Sequence, residues 1–289
     1  MAGQVYTPAA QMNMTVAAGE GADSMSEVRD RWAAASAYED YMGRWSRQLA
    51  PRFVSWLRIP GGVHWLDVGC GTGALTNAIC THADPASVLG CDPAPPFIEY
   101  ARRHSQDVRA SFVVAGVGGL PRRADGYGSV TSLLALNFFP DPEAAVHELR
   151  SLTATQGAVS ACVWDFGGKM EFLRCFWDAV AAVDSTAREL DQGQRFPLCR
   201  PGALLDLFRA GGLGDVRCEP IEIPTEFASF DDYWRPLLGG TGAAPSYVAS
   251  LDADRRTTLA RKLEQTLPRG PGETISLTAR AWAVRGTAN

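Results

Sequence analysis

Apolar residues run almost unbroken from Val63 to Val68, give way to glycines at 69, 71 and 73, and return at Ala74, Leu75, Ala78 and Ile79 with the spacing of one helix face. The pattern predicts a buried strand, a tight glycine loop and a helix. Further strands are expected at 87–92, 110–115, 129–136, 158–164, 215–223 and 274–284, where short apolar or alternating runs end in turn residues. Helical spacing is expected at 97–103, 142–152, 170–180, 201–210 and 252–267. It is also expected at 26–57, where Trp32, Ala35, Tyr38, Tyr41 and Trp45 form one aromatic-rich face. Strands that alternate with helices in this way predict an α/β domain built on a parallel sheet.

Composition narrows the class. Of 289 residues, 46% are hydrophobic and 20% charged, the balance of a globular domain with ample core. A net charge of −5 with scattered Lys and Arg argues against nucleic acid as a partner. No run of about eighteen apolar residues suggests a membrane span. The N-terminus lacks a basic segment followed by an apolar one, so the chain reads as cytoplasmic. Seven cysteines without a C-x-x-C pair read as reduced core residues, and no His, Cys, Asp and Glu spacing suggests a metal. The Gly, Ala, Ser and Met of residues 1–26 read as a mobile tail. The remainder, 27–289, reads as one domain with an N-terminal helical cover at 27–60 and an insertion, or lid, at 224–273. The sequence carries no signal of oligomeric state.

Three alternate glycines let the backbone turn sharply and let a ligand approach without meeting Cβ atoms, while the free amides of the loop and helix start favour electron-rich groups. The spacing G-x-G-x-G is one residue shorter than the dinucleotide fingerprint, and the Gly-Lys-Ser/Thr ending of a phosphate loop is absent. The string Leu66-Asp67-Val68-Gly69-Cys70-Gly71-Thr72-Gly73 instead resembles the first motif of class I S-adenosylmethionine-dependent methyltransferases. The resemblance implies a Rossmann-like, seven-stranded, mostly parallel sheet with helices on both faces and an antiparallel last strand. It also implies S-adenosylmethionine as cofactor and a small-molecule substrate. A glycine loop that only joins a strand to a helix is the plain alternative.

On that resemblance, Asp67, Gly69, Cys70, Gly71 and Gly73 hold the cofactor from the first strand and its loop. Asp92, at the end of the second strand, suits the ribose hydroxyls, with Pro93 beside it; its other reading is a helix cap. Gly116 and Val117 border the adenine, although many relatives carry an acid where Gly116 stands and another where Gly128 stands. Leu136 and Asn137 border the methyl group; Asn137 either orients an acceptor or stabilises its own turn. The run 38–47 looks like the cover helix of such enzymes, which would turn Tyr38, Tyr41 and Arg44 to the cofactor, Arg44 pairing with its carboxylate or else standing in solvent.

A sulfonium methyl group is already activated, so transfer needs positioning and exclusion of water more than a dedicated nucleophile. None of the four histidines is an obvious base; by position Asp165 and Tyr233 are candidates, with a helix cap as the other reading of Asp165. The aromatic residues around 164–177 and 227–234 suggest an apolar or aromatic acceptor, or simply a core. The two departures at Gly116 and Gly128 support an alternative, a cofactor-binding protein of the same fold that senses, or scaffolds an elimination or cyclisation.

Overall fold

The computed structural model describes residues 35–240 and 242–289. The expected tail and Trp32 lie outside them. A seven-stranded sheet has the order β3-β2-β1-β4-β5-β7-β6. Strands β1 (His64–Val68), β2 (Ser87–Asp92), β3 (Ala110–Val114), β4 (Tyr127–Leu133) and β5 (Thr153–Trp164) pair in parallel. β7 (Ile275–Thr287) enters antiparallel between β5 and β6 (Gly214–Phe227).

The chain walks outward from β1 to β3, then returns past β1 to β4 and β5. Right-handed crossovers place the helices of the two walks on opposite faces, so Ala74–His82 and Pro95–His104 face away from Pro142–Leu152. At the reversal, between β1 and β4, a crevice opens outside the carboxyl ends of the strands. The central strands are apolar because both faces are covered: every residue from 157 to 164 of β5 is buried. The helices begin where caps and prolines allow. Asp141 accepts from the Ala144 amide at 2.9 Å ahead of Pro142, and Asp252 accepts from the Arg255 amide at 2.8 Å.

Several boundaries differ from the expectation, β5 starting at 153 and not 158 and β7 ending at 287 and not 284, and two of the differences have a clear physical cause. β4 stops at Leu133, not at 136; Leu134 takes a left-handed φ of 61° and Leu136–Phe138 forms a 3-10 turn. The apolar run continues because the turn is buried too. β6 runs on to Phe227, past Pro220 and Pro224, so the segment between the last two strands starts at 228. Both prolines are exposed on a strand whose one sheet partner is β7, where a missing N–H costs nothing in the ladder.

The cover begins with one helical turn (Ala35–Tyr38) and one π-helical turn (Glu39–Gly43), then becomes the helix Arg44–Leu57. Trp45, Leu49, Phe53 and Leu57 bury its apolar face against Ala74–His82 and β6. Phe53 has no exposed surface, so Phe53→Ala should cost about 3–5 kcal/mol. In urea unfolding the midpoint is expected to drop in a single transition; an unchanged midpoint would mean that the cover helix is no part of the folded core.

Candidate active site

The loop after β1 is drawn across the end of β2 by its own main chain. The amides of Gly69 and Cys70 both donate to the Cys91 carbonyl, at 2.8 and 2.9 Å. Gly71 donates at 3.0 Å to one carboxylate oxygen of Asp92, and Ala94 donates at 2.9 Å to the other. Asp92 therefore ties the glycine loop and the start of the next helix together, and its helix-cap reading and its place at the loop coexist. Burial pushes its carboxyl up, opposed by these two amides.

The glycines serve different ends. A Cβ at Gly69, whose φ is 73°, would stand 2.5 Å from the Ala135 Cβ, so the loop lies directly on the turn after β4. A Cβ at Gly71 would meet no described atom within 4 Å, which leaves the middle of the loop open to a ligand. Asp67 is fully buried; its Oδ2 accepts from the Thr76 hydroxyl at 2.7 Å, while its Oδ1 has no partner among the described residues. Burial pushes the Asp67 carboxyl up to about 7, against the Thr76 bond and with help from the Asp92 charge. An orphaned acceptor, an open glycine loop and a carboxylate across the crevice together fit a cationic, hydroxyl-bearing nucleoside such as S-adenosylmethionine.

On the far side, Gly116 sits against Pro93, whose Cβ would be 3.4 Å from one added to the glycine. The Gly118 amide donates at 2.6 Å to Glu148, a carboxylate from the helix Pro142–Leu152. Glu148 is a residue that sequence reading missed, because nothing in its helical spacing announces a contact thirty positions upstream. Gly128 is accounted for by packing: a Cβ there would stand 2.7 Å from the Val63 Cβ. That removes one of the two reasons for the non-transferring alternative.

At the carboxyl end of β4, Leu136 is buried, and Asn137 is 9% exposed with neither side-chain amide atom bonded to any described residue. Its turn is thus not held by its own side chain. Tyr38 packs edge-on against Phe97, with ring centroids 5.7 Å apart, and its hydroxyl lies 2.9 Å from that of Ser46. Burial raises the Tyr38 hydroxyl, opposed by the Ser46 bond, and the Asp92 charge adds to the rise, which puts Tyr38 within electrostatic reach of that carboxylate.

Three expected residues are engaged elsewhere. Arg44 bonds Asp232 at 2.9 Å and stacks over Trp45 and Phe227, so the carboxylate it holds belongs to the segment before β7. Asp165 accepts from both Nε and Nη2 of Arg280, at 2.8 and 2.6 Å, and from the Lys169 amide. Tyr233 donates at 2.7 Å to the Phe172 carbonyl, and burial pushes its hydroxyl far above the ordinary tyrosine range. A phenol so placed does not accept a proton near neutrality. The aromatic rings expected around an acceptor are core: Phe172, Phe227, Tyr233 and Trp45 pack on one another.

Among the described residues no group of three or more His, Cys, Asp or Glu is placed to hold a metal, no helix is long and apolar enough to cross a membrane, and all seven cysteines are free.

Fold and crevice together define a Rossmann-like protein with a nucleoside site at the β1/β4 reversal. Comparison with known proteins points the same way. Residues 66–157 match the model of the methyltransferase domain. The malonyl-[acyl-carrier protein] O-methyltransferase of Hahella chejuensis is 32% identical over 124 residues, 43% of this chain and 44% of that protein. The ubiquinone biosynthesis O-methyltransferase of Xanthomonas axonopodis is 33% identical over 108 residues, 36% of this chain and 44% of that one. In architecture the chain is similar to the phosphoethanolamine N-methyltransferase 2 of Haemonchus contortus in complex with S-adenosyl-L-methionine, at a TM-score of 0.54 and 13% identity, over 88% of this chain and 57% of that one. The chain is thus similar to class I S-adenosylmethionine-dependent methyltransferases, in sequence over residues 66–157 and in fold over most of its length. It spans about half the length of the curated relatives it matches.

Two measurements check the site. Gly69→Ala places a side chain on Ala135 at a left-handed φ, and should cost about 1–3 kcal/mol, read as a lower melting temperature. Because the folded pKa of Asp67 lies above its unfolded value near 3.8, its contribution to stability is complete below pH 4 and is lost as pH rises through about 7. The ligand-free protein should therefore lose melting temperature between pH 5 and pH 8, and Asp67→Asn should flatten that slope; an equal slope in the variant would assign the effect to other groups.

Proposed function

We propose that the chain transfers a methyl group from S-adenosylmethionine to an oxygen atom of a small acceptor. The observation that carries this reading is the glycine loop held open opposite Asp92 at the β1/β4 reversal, inside the stretch that matches the methyltransferase domain. Oxygen as the receiving atom is supported by relatives named as O-methyltransferases.

When bound, the cofactor supplies an activated methyl carbon, which the acceptor oxygen takes in line while the carbon–sulfur electron pair stays on sulfur. The protein's part is binding and alignment. In this reading Asp92 accepts from the ribose hydroxyls on its remaining lone pairs, and the free Oδ1 of Asp67 faces the cationic methionyl end. Main-chain groups of Gly69, Cys70, Gly71 and Gly73 shape the loop around it, and Pro93, Gly116 and Val117 border the adenine. Leu136 walls the methyl group, and Asn137, whose amide is unspent, orients the acceptor oxygen. Tyr38 covers the ribose side. Arg44 acts at one remove, by tying the cover at 27–60 to the segment that follows β6 as a lid. No protein base is assigned, because Tyr233 and Asp165 are both occupied; the acceptor proton leaves to water.

Calorimetry with S-adenosylmethionine and S-adenosylhomocysteine tests the reading directly. Both are expected to bind, and Asp92→Ala should weaken each at least tenfold, the loss of about one charge-assisted hydrogen bond. If neither ligand binds the unmodified protein, the methyl-transfer reading falls.

A further inference from the structure

A cleft of about 340 Å³ opens where β5 ends, lined by Asp165, Gly167, Gly168, Arg174, Asp191, Gly193, Gln194 and Arg200. It lies next to the Asn137 turn, since β4 and β5 are paired and both Phe138 and Phe166 pack against Phe196, at centroid distances of 5.0 and 5.7 Å. Gly167 and Gly193 meet backbone to backbone: a Cβ on Gly193 would stand 2.8 Å from the Gly167 Cα. Part of the wall is thus main chain, with nothing projecting into the space.

Two carboxylates and two guanidiniums line the cleft, and three of these four charges are paired. Asp165 is neutralised by Arg280 at 2.6 Å, and Asp191 by a two-pronged bond from Arg174, at 2.9 and 2.5 Å. Arg200 has no carboxylate partner among the described residues and is exposed. Arg200 is therefore the one lining charge without a partner among the described residues, in a chain whose net charge is −5. A neighbouring cleft of about 320 Å³, across the Arg174–Asp191 pair, holds Arg188 and Asp178, whose opposite charges balance. In the cleft at the end of β5, Arg200 alone is left unpaired among the described residues. The size of this cleft suits a small ligand of roughly the dimensions of a substituted benzene ring. A guanidinium at the rim matches the planar oxygens of a carboxylate or the oxygens of a phosphate by paired hydrogen bonds.

We infer that the cleft is the acceptor subsite and that Arg200 selects acceptors carrying an anionic group, a carboxylate or a phosphate ester. The acceptor role rests on the methyl-transfer reading above; the binding of anions at Arg200 does not. The polar lining also replaces the apolar acceptor that the aromatic-rich sequence suggests.

Arg200 can be changed without touching the fold, because it stands at the N-cap of Pro201–Ala210 and its side chain makes no cap hydrogen bond. The test is calorimetric titration of the full chain with benzoate, phenyl phosphate and neutral benzamide, on the unmodified protein and on Arg200→Ala and Arg200→Lys. At least one of the two anions is expected to bind ten or more times tighter than benzamide, and the stronger one identifies the preferred head group. Arg200→Ala should lose that preference, Arg200→Lys should keep part of it, and all three proteins should bind S-adenosylhomocysteine equally. Equal binding of benzamide and both anions, or an anion preference that survives in Arg200→Ala, would overturn the inference. Failure of S-adenosylhomocysteine to bind any of the proteins would instead overturn the methyl-transfer reading and leave anion binding at Arg200 standing.

Discussion

The site depends on one carboxylate that bridges two backbone segments. Asp92 takes the Gly71 amide on one oxygen and the Ala94 amide on the other, and so fixes the loop after β1 against the helix that begins after β2. The Cys91 carbonyl, which takes the Gly69 and Cys70 amides, holds the start of the same loop. The loop is glycine-rich and costs more conformational entropy to fix than ordinary chain, and an amide turned inward without a partner would cost about 1–3 kcal/mol. Beneath the loop, Cys70, Ile98, Ala101 and Phe112 form a small apolar cluster of their own. Its tightness explains Gly90: a Cβ there would stand 2.7 Å from the Phe112 ring. The crevice is thus positioned by a charge above and a close-packed floor below.

The sequence pattern places elements well where a covalent constraint marks the boundary. The helices Pro142–Leu152 and Pro201–Ala210 start on a proline, and β2 ends on an acid before a proline; all three have the bounds that the pattern predicts. It errs where burial outlasts the strand, as at 134–136, since an apolar run records what is covered and not which backbone angles cover it. It also errs at Pro224, where the expected strand ends but an edge strand has a free side to absorb the proline, as it does at Pro220. The short turns at Ser185–Leu190 and Gln192–Arg195 give no periodic signal and were not expected at all.

For the site the division is similar. The glycine loop and Asp92 are legible because one strand–helix unit separates them and the sheet's parallel pairing fixes the offset. Contacts made across unrelated parts of the chain are not legible. Arg44 lies 188 residues from Asp232, and the pair forms because both come to the same aromatic surface, where Trp45 and Phe227 stack on the guanidinium. Arg174 and Asp191 are 17 residues apart, joined by turns the pattern does not show. In each case the residue type is right for ligand chemistry, and only the fold decides whether a carboxylate of the protein has already taken it.

That competition also connects the cover to the cofactor site. Besides the buried face of Arg44–Leu57, the N-terminal helices are held by Arg44 and Trp45 on the aromatic cluster around Phe172 and Phe227, and by Tyr38 on Phe97. Phe97 belongs to the helix that Asp92 anchors through Ala94, so displacing Tyr38 loosens the same helix that positions the carboxylate. Between the two attachments lies the π-helical turn Glu39–Gly43, a wider coil that is less favourable than an α-helix and is found mostly as single turns at functional sites. At the Arg44 end the aromatic contacts are joined by the ion pair with Asp232, and at the Tyr38 end the ring contact is joined by the Ser46 hydroxyl.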